Sequence, residues 1–143
     1  MACRACTTAP VLDRRYSGER LCQRHFVSAV EKSVQRELRQ QVSALEASGE
    51  PLQRIAVALS GGKDSTVALR LVQAWAVQRR LELVALAIDE GIAGYRAPAL
   101  ECARRGCDVL GVELRVSSYR DLVGMGLDEL LQAQPSAGSP CSP

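Results

Sequence analysis

Two groups of residues in this chain have the types and spacing of chemical sites. The first is Cys3-x2-Cys6-x15-Cys22-x2-His25. Two cysteines two residues apart make half of a tetrahedral zinc site, and Cys22 with His25 make the other half at matching spacing. His25 is the one histidine of the chain, and it completes a set of four. Four protein ligands leave no open position, so the zinc expected here is structural. The other readings are idle thiols or redox chemistry at Cys3 and Cys6.

The second group is Ser60-Gly61-Gly62-Lys63-Asp64-Ser65-Thr66. It joins an apolar run to a helical pattern. Its glycines let the backbone turn tightly and approach a ligand. The first N–H groups of a helix lack partners and carry partial positive charge, which makes an anion site. Ser60, Ser65 and Thr66 add hydroxyl donors, and Lys63 adds a cation. Asp64 would repel a phosphate unless a cation lies between, so a Mg²⁺ bridge is its expected role. The spacing is neither that of a Walker A loop nor of GxGxxG. A plain strand–helix turn capped by Ser60 is the other reading.

The elements that must position these groups follow from periodicity. Residues 1–26, with Pro10 and Gly18, read as a metal knuckle. Residues 27–48 read as a helix with the stripe Val27, Val30, Val34, Leu38, Val42 and Leu45, stopped by Gly49 and Pro51. Residues 54–59 and 83–88 are apolar runs that read as buried strands ending in glycine turns. The helix between them should present Val67, Ala68, Leu71, Val72 and Trp75. A helix over 96–109, weakened by Gly106, leads to a third strand marked by Val112, Leu114 and Val116. Residues 119–133 read as a last helix and 134–143 as a loop. Alternating strands and helices predict an α/β fold with a parallel sheet, whose ligands bind beyond the carboxyl ends of the strands. Three strands alone would leave apolar surface exposed.

The chain has 143 residues and a formal net charge of +2, which excludes a histone-like polycation and an acidic tail protein. Residues 1–54 carry nine Lys+Arg against six Asp+Glu, and residues 55–143 nine against ten. The basic front fits either nucleic-acid contact or a solvated arginine-rich face. No apolar run reaches membrane-spanning length, and the amino terminus has no secretory pattern, so a cytoplasmic protein is expected. In that reducing compartment the six cysteines favour metal ligation over disulfides. Cys102 and Cys107 read as small apolar residues.

SGGKDS resembles the PP-loop of the N-type ATP pyrophosphatases, which cleave ATP between its α and β phosphates and adenylate an oxygen of their substrate. The resemblance implies an adenine nucleotide alpha-hydrolase-like, Rossmann-like sheet, with pyrophosphate held by Ser60, Gly61, Gly62, Lys63, Asp64 and Ser65. It places adenine near Ala87, Ile88 and Asp89. A Cys3His knuckle, a linking helix and SGGKDST in that order look like the tRNA 2-thiolation enzymes. The segment from Asp89 to Arg96 is similar to the DEGIxGYR segment of that group. The organisation implied is a zinc knuckle over 1–26, a linking helix over 27–50 and the first part of a PP-loop domain over 51–143.

The activity implied is ATP-dependent 2-thiolation of a tRNA uridine, with Asp64 and Cys141 in catalytic roles. Implied cofactors are ATP, Mg²⁺ and Zn²⁺. Implied partners are tRNA, a ubiquitin-like sulfur carrier ending in a thiocarboxylate and a second copy of the chain in a homodimer, with no membrane. Pro140-Cys141-Ser142 matches the start of the group's Pro-Cys-Ser-x-Cys-Gly segment, so Cys141 corresponds to its first 4Fe-4S ligand. The other cluster cysteines have no counterpart, and the chain is expected to be a catalytically incomplete fragment. The alternatives are another PP-loop adenylating enzyme and a non-catalytic zinc and nucleotide-binding module.

Overall fold

The computed structural model describes residues 2–47, 49, 51–92, 94 and 96–133. The tail 134–143, with Cys141, lies outside them, as do Ala93 and Tyr95. The chain divides into two units, Met1–Leu52 and Gln53–Pro143.

In the first unit β1 (Leu12–Arg14) and β2 (Glu19–Leu21) form an antiparallel hairpin. Helix α1 (Gln23–Glu46) follows directly. It starts four residues before the expected position, with Cys22 extended at its N-cap. The knuckle therefore includes the first turn of the helix, and Cys22 and His25 sit at its entry. The core here is small: Cys3, Leu21 and Cys22 are buried, with Cys6, Leu12, Phe26 and Ala29 packed against them. Along the expected stripe Val42 is buried, Val30, Val34 and Leu38 are half-buried, and Val27 and Leu45 are exposed.

The second unit has a parallel sheet in the order β3 (Arg54–Ala58), β4 (Glu82–Asp89), β5 (Glu113–Ser118). Helix α2 (Lys63–Arg79) connects the first pair and α3 (Arg96–Leu110) the second. Leu69 of α2 and Ala103 and Cys107 of α3 share one core with Leu59 and Ala85, so both helices cover the same sheet face. Among the described residues the opposite face is open toward the carboxyl ends of the strands, while Val84 farther back is buried. Leu86 is 42% and Ile88 48% exposed, and Ala56 and Ala58 are exposed beside them. The strands read as buried runs are thus buried on one side only at their carboxyl ends.

Three further expectations are corrected. Helix α2 buries Leu69, Trp75 and Ala76, while Val67 and Ala68 face solvent. Helix α3 runs through Gly106 and ends at Leu110, before Gly111 with its positive φ. The last helix is two, α4 (Tyr119–Val123) and α5 (Leu127–Ala133), because Gly124 takes a left-handed conformation at the end of α4. Among the described residues no helix is long and apolar enough to cross a membrane.

Candidate metal and nucleotide sites

The hairpin and the first turn of α1 bring Cys3, Cys6, Cys22 and His25 together, with their ligand atoms all within 4.8 Å of one another. Cys6 Sγ and Cys22 Sγ are 3.7 Å apart. His25 Nδ1 lies 3.4 Å from Cys3 Sγ and 3.2 Å from Cys22 Sγ. Zinc–ligand bonds of about 2.3 Å to sulfur and 2.0–2.1 Å to nitrogen set tetrahedral edges of about 3.8 and 3.6 Å. The four side chains fit a zinc ion. The Cys3 thiol is pulled down to about 6, first by the Cys22 backbone N–H; the Ala5 N–H, His25 and Cys6 add to this against the opposing effect of burial. At Cys22 the His25 backbone N–H lowers the pKa, but burial and the neighbouring Cys6 and Cys3 outweigh it and the net shift is upward. One thiol is thus poised as a thiolate beside another held back by it, a contrast that a cation among them would resolve.

In the second unit the turn from Ser60 to Asp64 leaves the end of β3 and enters α2. Gly62 is the N-cap of α2 and has no side chain to cap the first-turn N–H groups. Its own N–H donates to Ser60 Oγ at 3.3 Å. Its carbonyl accepts from Ser65 Oγ at 3.0 Å and Thr66 Oγ1 at 2.9 Å. Ser60 Oγ and Ser65 Oγ are 3.0 Å apart. Lys63 Nζ and Asp64 Oδ2 are paired at 3.1 Å and well exposed, so water weakens the pair and leaves both available to a ligand.

Gly61 has φ +86°, and a Cβ placed on it would lie 2.1 Å from the Ala99 carbonyl oxygen of α3. The glycine is required by close packing of a helix against the loop as well as by the turn. Gly62 differs: a Cβ there meets only Ser60 Oγ, at 3.5 Å.

The carboxyl end of β4 lies beside this turn, since Leu59 N–H donates to the Leu86 carbonyl at 2.8 Å. A cleft of about 370 Å³ opens there, lined by Ser60, Ser65, Leu86, Ile88, Glu90 and Arg96 among others. Of the three residues expected near adenine, Ile88 is exposed, Asp89 half-buried and Ala87 buried. Asp89 Oδ1 accepts from the Gly91 N–H at 3.0 Å, which turns the chain away from the strand. Ala87 can meet a ligand only through its backbone.

Sequence reasoning missed Arg96 and Cys102 as neighbours of the loop. Arg96 donates to the carbonyls of Ser60, at 3.1 Å, and Ile88. Its signal was an arginine at the start of an apolar helix directly after a glycine-rich loop. Cys102 lines a second cleft of about 300 Å³ with Gly61, Gly62, Gly94, Pro98 and Ala99. It is exposed, whereas Cys107 is buried, so only Cys107 behaves as the small apolar residue expected. Burial, and secondarily Asp108, push the Cys107 thiol up. In native protein iodoacetamide is expected to alkylate Cys102 on the order of 100-fold faster than Cys107. Peptide mass spectrometry reads the two rates, and equal rates would contradict the placement.

The PP-loop domain family matches residues 30–134. The chain is 34% identical over 144 residues to the tRNA 2-thiolation protein NcsA of Haloferax volcanii, covering 99% of this chain and 45% of that protein. It is 36% identical over 139 residues to the cytoplasmic tRNA 2-thiolation protein 1 of Drosophila willistoni, covering 96% of this chain and 39% of the relative. Among solved structures it is similar to the U34-tRNA thiolase NcsA from Methanococcus maripaludis with its [4Fe-4S] cluster, with TM-score 0.79 and 29% identity over 99% of this chain and 44% of that one. The chain spans less than half of the length of each of these relatives. With the match covering the phosphate turn, all three sheet strands and both crossover helices, the chain belongs to the PP-loop domain family.

Proposed function

We propose that this chain supplies the ATP-handling part of a cytoplasmic tRNA 2-thiolation protein. The observation that carries the reading is the Cys3His cluster in the same chain as a strand–SGGKDS–helix turn. In the reaction, the C2 oxygen of a tRNA uridine bonds to the α-phosphorus of ATP and pyrophosphate leaves. A sulfur nucleophile, delivered by a ubiquitin-like carrier, then displaces AMP and leaves 2-thiouridine.

This chain's residues act on the nucleotide. The first turn of α2 and the hydroxyls of Ser60 and Ser65 hold the pyrophosphate, and Ile88 and Asp89 border the base. Mg²⁺, when bound, neutralises charge on the phosphates, and Asp64, exposed at the mouth of the turn, is the residue that would hold it. Zinc, when bound, fixes the hairpin against α1 through Cys3, Cys6, Cys22 and His25. The basic residues of the first unit face the RNA. Cys141, which lies outside the described residues, belongs to the sulfur step, and one thiolate cannot hold an iron–sulfur cluster.

The chain is therefore expected to bind MgATP but to form no 2-thiouridine by itself. Calorimetry with MgATP tests the first part; mass spectrometry of tRNA incubated with ATP, Mg²⁺ and sulfide under anaerobic conditions tests the second. A chimera continued with the remaining part of the Haloferax relative should thiolate tRNA and lose that activity on Cys141→Ala while still binding ATP. No MgATP binding, or 2-thiouridine made by the 143-residue chain alone, would sink the proposal.

A further inference from the structure

We infer that Arg96 is a positioning residue for the phosphate turn, joining the carboxyl ends of β3 and β4 so that the loop is held in shape before a nucleotide arrives. The inference rests on the nucleotide reading above. Arg96 is 5% exposed and is the buried charged residue of the described structure. One guanidinium NH2 group donates to the Ser60 carbonyl at 3.1 Å, and the other donates to the Ile88 carbonyl. Ser60 opens the phosphate turn, and Ile88 is the last residue but one of the strand that borders the cleft. Nε lies 2.8 Å from Glu90 Oε2 but has no aligned hydrogen bond, so Glu90 balances the charge while the two carbonyls take the directed bonds.

The location argues that the helix itself does not require this arginine. Arg96 is the first residue of α3, and that first turn has no acidic residue. A cation at a helix N-terminus opposes the dipole, and burying a guanidinium is costly without partners. A residue set against both effects is held by what it joins. Its partners are the carbonyl that opens the turn after β3, a carbonyl near the end of β4 and the Glu90 carboxylate just beyond that strand. The same helix turn also meets the loop from the other side, where the Ala99 carbonyl leaves no room for a Cβ on Gly61. Each of the two guanidinium NH2 groups spends a bond on a backbone carbonyl of the protein, so the hold of Arg96 on the turn runs through Ser60. A lysine cannot replace it, because a point ammonium cannot span two carbonyls and a carboxylate in one plane.

The test uses the whole chain, zinc-loaded, with Arg96→Lys, Arg96→Gln and Glu90→Gln. MgATP affinity is measured by calorimetry well below the melting midpoint, and amide exchange is followed residue by residue. Arg96→Lys and Arg96→Gln are expected to weaken MgATP about tenfold or more, the loss of a charge-assisted bond. Exchange should rise at residues 60–63 and 88–91 and stay unchanged along the middle of α2. A merely structural role predicts the reverse: a lower midpoint, an even rise in exchange and unchanged affinity of the folded protein. That result overturns the inference. If the Arg96 variants do not fold, Glu90→Gln decides. A loss of about threefold in affinity with the local exchange pattern supports positioning, and unchanged affinity overturns it. Wild-type chain that binds no MgATP overturns the nucleotide reading and this inference together, whereas wild-type binding with unaffected variants overturns this inference alone.

Discussion

Cys22→Ala protein will lose its zinc and the folded state of its first 26 residues. The wild-type chain should carry about one zinc. The effect is expected to be large because the residues that could hold the metal also form the core of this segment. Among its described residues Cys3, Leu21 and Cys22 are buried, and two of these belong to the set of four that could hold the metal. The hairpin has only three residues in each strand, far below what a two-stranded unit needs to stand alone. Zinc binding is expected to contribute roughly 10 kcal/mol to folding here. Cys22 occupies the N-cap position of α1 without a side-chain cap bond, so its replacement acts through the cysteine–histidine set. Metal analysis and amide exchange over residues 2–26 check the result, with Cys102→Ala as a variant that should retain zinc. Substoichiometric zinc in fresh, chelator-free protein, or full zinc in Cys22→Ala, would contradict it.

The two loop glycines will respond unequally to the same substitution. Gly61→Ala puts a Cβ into the Ala99 carbonyl and holds a side chain at φ +86°. The left-handed conformation costs about 1–2 kcal/mol, and forcing α3 away costs about 1–3 kcal/mol more. The sum, about 2–5 kcal/mol, corresponds to a loss of at least 30-fold in MgATP affinity or an equal loss of stability. Gly62→Ala meets a movable hydroxyl at 3.5 Å and keeps an ordinary φ of −81°, so stability should change by less than about 1 kcal/mol. Calorimetry and thermal melts of both variants decide. Equal responses would mean that α3 does not constrain the loop.

The phosphate turn and the cysteine set were legible because each depends on short spacing. Glycines, hydroxyls and paired cysteines announce themselves within a few residues. What escaped the sequence depends on partners far along the chain. Arg96 meets Ser60 from 36 residues away, and the tight contact on Gly61 comes from Ala99. The start of α1 is hidden in the sequence because Cys22 and His25 fall within the knuckle pattern of residues 1–26. Three residues apart, they face one way when a helix begins between them. The phase of α2 was misread because apolar residues surround it: Val67 and Ala68 suit a core as well as Leu69 does, and the sheet chose Leu69. The uncovered apolar surface follows from the count of three strands, but which face it lies on does not, because continuous apolar runs resemble strands covered on both faces.

Strand order in this sheet follows chain order, β3 then β4 then β5. During synthesis each new strand can therefore dock on the one just made, with no gap left for a later segment to fill, and the mean loop to be closed stays short. The phosphate turn is an exception to this steady growth. Its peptide emerges with β3, but its second support, Arg96, emerges 36 residues after Ser60. At translation rates of about 5–20 residues per second, the nascent turn stays without that support for roughly 2–7 s. Ribosome-bound chains with α3 still inside the ribosome and with α3 released from it should accordingly differ in nucleotide capture.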